Sequence, residues 1–305
     1  MLYLALAIAC SSSIALIFKH SETAGMNRYA VTTANYLMAA GLSAGLLAWT
    51  GLALPEGGFS LGASLAELRS VFVLTGDKLP VASSALWAVI VGLGAGAFFF
   101  LAFIYYQKSI REHGVGLAGA FIKLGILVPM SLSLVLWQEY PTLIQWAGIA
   151  LALLSIMIAH WPSELNVERA IRLSLVLLFL FGGVAEFSNK VFQNYGWLDH
   201  QSLFLFVTFS SAFVYSLIVT LRSSRAVQRR DLLTGLLVGV PNLFSSFFLI
   251  RALETIPAAV AFPVFGAGTI LVINLVGVTV FGERLNRPEK AAVGLTILAL
   301  VLINQ

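Results

Sequence analysis

Charged residues and cysteine are scarce in this chain of 305 residues. Asp, Glu, Lys and Arg make up 10% of it, whereas a soluble domain carries about 25% charged residues. With 59% hydrophobic residues, too few polar side chains remain to cover a water-exposed surface. The single cysteine, Cys10, excludes an internal disulfide. These shortages predict a polytopic membrane protein embedded in a lipid bilayer.

Residue patterns typical of enzymes, metal sites and nucleic-acid binding are also missing. No G-x-S-x-G motif is present, and the four histidines lie far apart in the sequence, at the ends of apolar stretches. The glycine-rich run 92–100 follows no predicted strand, so it indicates close helix packing rather than a phosphate loop. The net charge of +4 comes from basic residues in short loops. We therefore expect no enzymatic activity, no cofactor, no metal site and no nucleic-acid partner.

Ten apolar stretches are each long enough to cross about 30 Å of hydrocarbon as a helix. Helices are expected because backbone groups cannot stay unpaired in lipid. The predicted spans cover residues 2–20, 29–51, 85–107, 114–137, 142–160, 171–193, 201–221, 231–252, 257–281 and 289–304. The only long loop is 52–84, in which 61–74 is either a short amphipathic surface helix or a solvated connector.

The chain contains an internal duplication. When Glu139 is superposed on Glu283, residues 107–160 align with the C-terminal stretch without a gap, and Lys123 falls on Ala267. Each half, 1–160 and 161–305, then holds five helices. An odd number forces the second copy to enter the membrane from the opposite face, so the sequence predicts an all-α protein of two inverted five-helix repeats.

Lys and Arg are concentrated in the loops that follow odd-numbered spans, such as 222–230. The positive-inside rule then places these loops in the cytoplasm and both termini outside. We expect the membrane to be a bacterial inner membrane.

The C-terminal half resembles the drug/metabolite transporter superfamily, EamA type, in the pattern A-L-x-x-x-P-A, F-P, G-E-R-L and a later glycine. The pattern is carried by Ala252, Leu253, Pro257, Ala258, Phe262, Pro263, Gly282, Glu283, Arg284, Leu285 and Gly294. The first half matches more loosely through Glu139 and Gly148, and it has His113 in place of the proline. The resemblance implies ten helices in a five-plus-five duplication and the transport of small metabolites. Members of this length usually keep both termini in the cytoplasm, and this sequence departs from that arrangement.

Ionisable residues inside the spans are the strongest functional signals, because each costs about 2.5–3.5 kcal/mol on insertion scales. Lys123 lies about ten residues into the fourth span; it either faces a central cavity, as a site for an anion or a proton, or is a permanent partner of Glu186. Glu186 and Lys190 are four residues apart, so they either form an intrahelical pair or contribute one group to the transport pathway. Asn189 lies between them.

Weaker candidates are Arg251, Asn35, Asn242, Asn274 and Lys19. The arginine has a planar fork suited to carboxylate or phosphate, or it anchors a helix end and pairs with Glu254. The asparagines line the cavity or join helices. Lys19 matches Lys190 in the repeat but lies near a span end, where snorkelling competes with binding.

The expected function is a secondary active transporter that moves a small organic metabolite by alternating access, by proton coupling or exchange. The substrate, anionic, zwitterionic or amphipathic, would bind near the midplane between the two halves. The protein would act as a monomer or homodimer. The alternative is a membrane scaffold, or a subunit of a membrane complex, that performs no transport. Glu139 and Glu283 precede helices, where a carboxylate complements the helix dipole, so we expect structural roles for them.

Overall fold

The computed structural model describes residues 1–52, 60–70, 78–113, 115–159, 173–280, 282 and 286–303. Within these residues the regular structure is helical. The helices are α1 (Leu2–Thr23), α2 (Arg28–Thr50), α3 (Leu61–Ser70), α4 (Val81–His113), α5 (Val115–Leu124), α6 (Leu127–Trp137), α7 (Leu143–Ala159), α8 (Leu173–Tyr195), α9 (Gln201–Arg222), α10 (Arg229–Ala252), α11 (Ala258–Thr279) and α12 (Arg287–Ile303), with a short 3₁₀ helix at Leu198–His200. Glu283 lies outside the described residues.

Eight of the described helical segments are long and apolar enough to span a membrane. Helices α7 and α12 are shorter, with 17 residues each, so the count of ten spans stays a prediction. Helix α4 is much longer than its predicted span, with 33 residues. Helix α3 begins where the short surface helix was predicted.

The fourth span, predicted as one helix over 114–137, is interrupted in the structure. Helix α5 ends at Leu124 and α6 begins at Leu127. The cause is Pro129, which has no N–H to donate to the Gly125 carbonyl four residues earlier. That carbonyl accepts from the Val128 N–H at 3.0 Å instead, and the Ile126 N–H donates to the Lys123 carbonyl at 3.4 Å. This tight turn divides the span in two.

The chain folds into two compact units that do not coincide with the two sequence halves. The first unit contains Met1–Ala15, Leu101–Phe187 and Thr255–Gln305, and the second contains Leu16–Phe100 and Ser188–Glu254. Helices α1, α4 and α8 each contribute one part to each unit. Both units therefore combine segments from the two sequence halves.

In the first unit, α11 is the most buried of the long apolar helices. Its N-terminus is capped by another segment, since the Glu139 carboxylate accepts from the Ala258 N–H at 2.5 Å. Sequence analysis predicted a structural role for Glu139 at a helix start, and the helix that it caps is α11. A second contact, from the Thr296 hydroxyl to the Ser155 hydroxyl at 3.0 Å, joins α12 to α7.

In the second unit, α10 packs against α2 along a face of small residues. A β-carbon at Gly239 would lie 2.6 Å from the Asn35 carbonyl oxygen, and one at Gly235 would collide with the Val31 carbonyl oxygen. Such small residues four positions apart let two helix backbones approach closely in lipid. The helix ends are joined as well, because the buried Asp231 carboxylate accepts from the Asn27 N–H at 3.2 Å.

The glycine-rich run in α4 packs in the same way. β-carbons at Gly92 and Gly96 would both meet backbone atoms of α9. The prediction that this run serves helix packing is confirmed.

We predict that Gly235→Ala lowers the free energy of unfolding by about 1–3 kcal/mol, because the new methyl group overpacks the α2–α10 contact. Gly45→Ala is the matched control, since its β-carbon would meet no atom within 4 Å and alanine favours the helix. Thermal unfolding of the two purified variants in detergent measures the change in stability of each. Equal stability of the two variants would contradict the packing.

Candidate functional site

Lys123 and Glu186 belong to the first unit and interact electrostatically. Lys123 is the last residue but one of α5, directly before the turn to α6, and Glu186 lies in α8. Both side chains are half-buried. The two possibilities for Lys123, a site that faces a cavity and a permanent partnership with Glu186, both stay predictions.

A close glycine contact joins α8 to the turn after α5, near Lys123 and Glu186 in the sequence. A β-carbon at Gly183 in α8 would lie 2.5 Å from the Gly125 carbonyl oxygen, at the turn between α5 and α6. A β-carbon at Gly182 would lie 2.6 Å from the Ile122 side chain. The two backbones therefore touch at Gly125 and Gly183. Lys123 lies two residues before this contact and Glu186 lies one helical turn after it.

Two aromatic contacts join α8 to neighbouring helices, one to α6 and one to α4. The rings of Phe187 and Trp137 are 5.5 Å apart between centroids, and those of Phe181 and Tyr105 are 5.4 Å apart. Rings at these separations make favourable contacts.

Lys190 and Asn189 follow in the part of α8 that belongs to the second unit. Both residues are buried. The Lys190 ammonium donates to the Gln193 side-chain carbonyl at 3.1 Å. The intrahelical pair of Glu186 and Lys190 stays a prediction.

Asn35 and Asn242 join α2 to α10. The Asn242 amide donates to the Asn35 side-chain carbonyl at 3.0 Å, one turn beyond the close contact at Gly239. Asn35 is buried. Sequence analysis left open whether these residues line a cavity or join helices, and the structure shows that they join helices.

Arg251 ends α10 beside a cavity in the second unit. Its Nε–H donates to the Gln201 side-chain carbonyl at 2.9 Å, and its guanidinium lies 5.6 Å from the centroid of the Phe247 ring. Within the described residues, Arg251 forms no ion pair with Glu254, and the bond from its Nε reaches across to α9. The cavity has a volume of about 320 Å³.

The cavity also brings in residues that sequence analysis missed. Its walls come from the end of α2, the start of α9 and the end of α10, through Leu46, Thr50, Gly51, Leu52, Leu198, Asp199, Gln201, Ser202, Phe247 and Arg251. The only sequence signal was the polar run Asp199–Ser202 before an apolar helix. Arg251, which bonds Gln201 of this run, lies fifty positions further along the chain, so no local pattern connects Arg251 with the run.

The remaining candidates are separate from these groups. Asn274 is half-buried in α11, and Lys19 is exposed near the end of α1. Glu22, which follows Lys19, pairs with Arg28 at 3.5 Å. Among the described residues, no group of three or more His, Cys, Asp or Glu is placed to hold a metal ion.

Part of the chain is similar to a known family. Residues 203–298 match the family model described as Small Multidrug Resistance protein. These residues run from α9 into α12. With the apolar helices, the match supports an integral, multi-pass membrane protein.

No curated protein matches the chain. A solved structure, described only as a crystal structure of a protein, is 14% identical and has a TM-score of 0.70. The likeness covers 99% of this chain and 97% of the other. At this identity it shows a shared fold along the whole chain.

We predict that Asn242→Leu lowers the free energy of unfolding by about 0.5–2 kcal/mol, since the buried Asn35 carboxamide loses its partner on α10. Asn274→Leu is the control. No described residue hydrogen-bonds the Asn274 side chain, so its removal changes the stability by less than about 0.5 kcal/mol. The free energy of unfolding of both variants is measured in detergent. If Asn242→Leu left it unchanged, the amide pair would not stabilise the α2–α10 contact.

Proposed function

We propose that this protein is a secondary active transporter that moves a small organic metabolite by alternating access, with Glu186 as the proton-coupling group. The observation that carries the proposal is the interruption of the fourth span between α5 and α6, where the backbone at Gly125 meets Gly183 of α8, close in sequence to Lys123 and Glu186. The ten spans, the inverted repeats 1–160 and 161–305, the outward termini and the bacterial inner membrane belong to the same proposal.

The free-energy cost of placing charged residues in a membrane supports a transport function. Ionisable residues in membrane spans are expensive and are typically kept for substrate or proton pathways. A pair that served only to reduce its own insertion cost would be more cheaply replaced by two apolar residues. Glu186 in α8 is an acid deep in a predicted span, which suits it to accept and release a proton.

The interruption at Gly125 and Ile126 supports it further. Irregular backbone inside a membrane is tolerated where it lies against protein or lines a cavity, and interrupted helices form the ion and substrate sites of many transporters. Lys123 directly precedes this interruption. Among the described residues, the backbone bond that its carbonyl accepts, from Ile126, is long at 3.4 Å.

The family match supports the transport of small compounds. The family name refers to resistance to multiple drugs, which for this chain favours an organic substrate with apolar surface. The match covers α9 to α12 and does not reach Lys123 or Glu186. Specificity at the charged pair can therefore differ from that of the family.

The alternative is a scaffold without a transport cycle. It is favoured by polar side chains that hydrogen-bond to each other, because such groups have no need of a substrate. Asn35 with Asn242 and Lys190 with Gln193 are bonded to other side chains of the protein. Arg251 is different, since it lines a cavity. The cavity and the charged pair together favour transport.

We predict that Glu186→Gln abolishes concentrative transport and its dependence on pH in reconstituted liposomes. The probes are a panel of amino acids, amines and organic cations, each followed by solid-supported membrane currents. Lys123→Ala lowers transport as well, because it removes the partner charge. The matched controls are Glu254→Gln and Lys290→Ala, which alter exposed side chains and leave transport unchanged.

Two results would contradict the proposal. If Glu186→Gln kept both concentrative transport and its pH dependence, the proton-coupling role would fall. If the natural sequence moved none of the panel while folded and inserted, the scaffold would be the better account.

A further inference from the structure

We propose that the cavity beside Arg251 binds a small organic zwitterion with an apolar tail, its carboxylate on Arg251 and its ammonium on Asp199. The cavity lies in the second unit, whereas Lys123 and Glu186 belong to the first. The inference goes beyond the proposed function, since equilibrium binding here requires no transport cycle.

The guanidinium of Arg251 is held in place by its Nε edge and its flat face. Its Nε–H donates to Gln201, whose side-chain amide in turn donates to the Phe247 carbonyl at 2.8 Å. Gln201 is 1% exposed, so it cannot move aside without losing both bonds. The Phe247 ring supports the face of the guanidinium. An arginine fixed in this way is pre-organised for a ligand.

The other edge of the guanidinium is left for a ligand. Among the described residues, no group forms a hydrogen bond or ion pair with the Nη atoms of Arg251. These two amino groups form the fork that binds a carboxylate in bidentate fashion. Arg251 lines the cavity, a position that an arginine serving only as an anchor would not need.

Asp199 supplies the opposite charge to the same cavity. It lies in the 3₁₀ helix Leu198–His200, and its side chain is exposed at the wall of the cavity. Within the described part of the chain, its carboxylate forms no ion pair with Arg251 or any other base. In the described residues, the two charged groups therefore line one cavity without forming an ion pair with each other.

This arrangement selects against ions of a single sign. A simple organic anion would meet the carboxylate of Asp199, and a simple cation would meet Arg251. A ligand that carries both charges satisfies each group. The apolar wall of Leu46, Leu52 and Leu198 would cover its tail, and a volume of about 320 Å³ lies at the small end of ligand pockets.

The test is calorimetric titration of the full chain, purified in detergent, with three matched probes. L-leucine carries both charges, 4-methylpentanoate lacks the ammonium, and 3-methylbutan-1-amine lacks the carboxylate. We expect L-leucine to bind, and the two single-charge probes to bind about tenfold more weakly or worse, because each leaves one protein charge unpaired.

Variants assign the binding to the two charges. Arg251→Gln and Asp199→Asn should each weaken L-leucine binding by about tenfold or more. Arg222→Gln, which alters an exposed arginine at the end of α9, should leave the dissociation constant unchanged. If Arg251→Gln fails to fold, Asp199→Asn at the exposed wall still tests the site.

Three outcomes would overturn the assignment. They are no binding of L-leucine, L-leucine binding that survives both substitutions unchanged, and 4-methylpentanoate binding as tightly as L-leucine. Intact L-leucine binding in a protein that transports nothing would support this site while contradicting the proposed function, so the two can fail separately.

Discussion

A charge in hydrocarbon is the constraint on which the arrangement of the first unit depends. Lys123 and Glu186 each carry an insertion cost of about 2.5–3.5 kcal/mol if they stand alone. Their mutual interaction offsets part of this cost, but only if α5 and α8 approach closely. The backbone contact between Gly125 and Gly183 provides that approach. Glycine packing and charge pairing therefore support each other.

In the second unit, close helix packing and a hydrogen bond between neutral side chains play the corresponding part. Lipid tails are as apolar as leucine side chains, so the hydrophobic effect does not drive helices together in a membrane. Helices associate there through close packing and a few polar contacts. Gly235 and Gly239 bring α10 against α2, and the Asn35–Asn242 bond forms at the end of that contact. Such polar contacts are specific because the alternative is an unsatisfied group in lipid.

In the site that we propose, Arg251 is bound at one edge and offers its other edge to a ligand. Gln201 and Phe247 fix its position, and Arg251 lines the cavity. By contrast, Asn35 and Asn242 are bonded to each other and stabilise the contact between α2 and α10. The distinction between a binding group and a packing group lies in what the rest of the side chain faces.

The apolar pattern predicted most helices close to their observed bounds, because hydrophobic length determines a membrane helix. The pattern did not predict the interruption after Leu124. Gly125 and Pro129 are both in the sequence, but a proline inside a span does not always end a helix. Lys123, Glu186 and Arg251 could be selected from the sequence because charges are rare there. That Glu186 acts on Lys123 was one of two readings left open.

Contacts between distant segments were beyond the sequence. The partner of Arg251 is Gln201 and not the nearby Glu254, since the side chain points across to α9. Likewise, Glu139 caps α11, a helix more than a hundred positions away along the chain. Local spacing carries no information on either contact.

A double-mutant cycle on Lys123 and Glu186 tests the central claim most directly. The free energy of unfolding is measured in detergent for Lys123→Met, Glu186→Gln and the double variant. The account predicts a coupling energy of about 0.5–3 kcal/mol, with the double variant less destabilised than the sum of the single ones. A coupling energy of zero would show that the two charges do not act on each other, and the charged pair could then not be the core of a transport site.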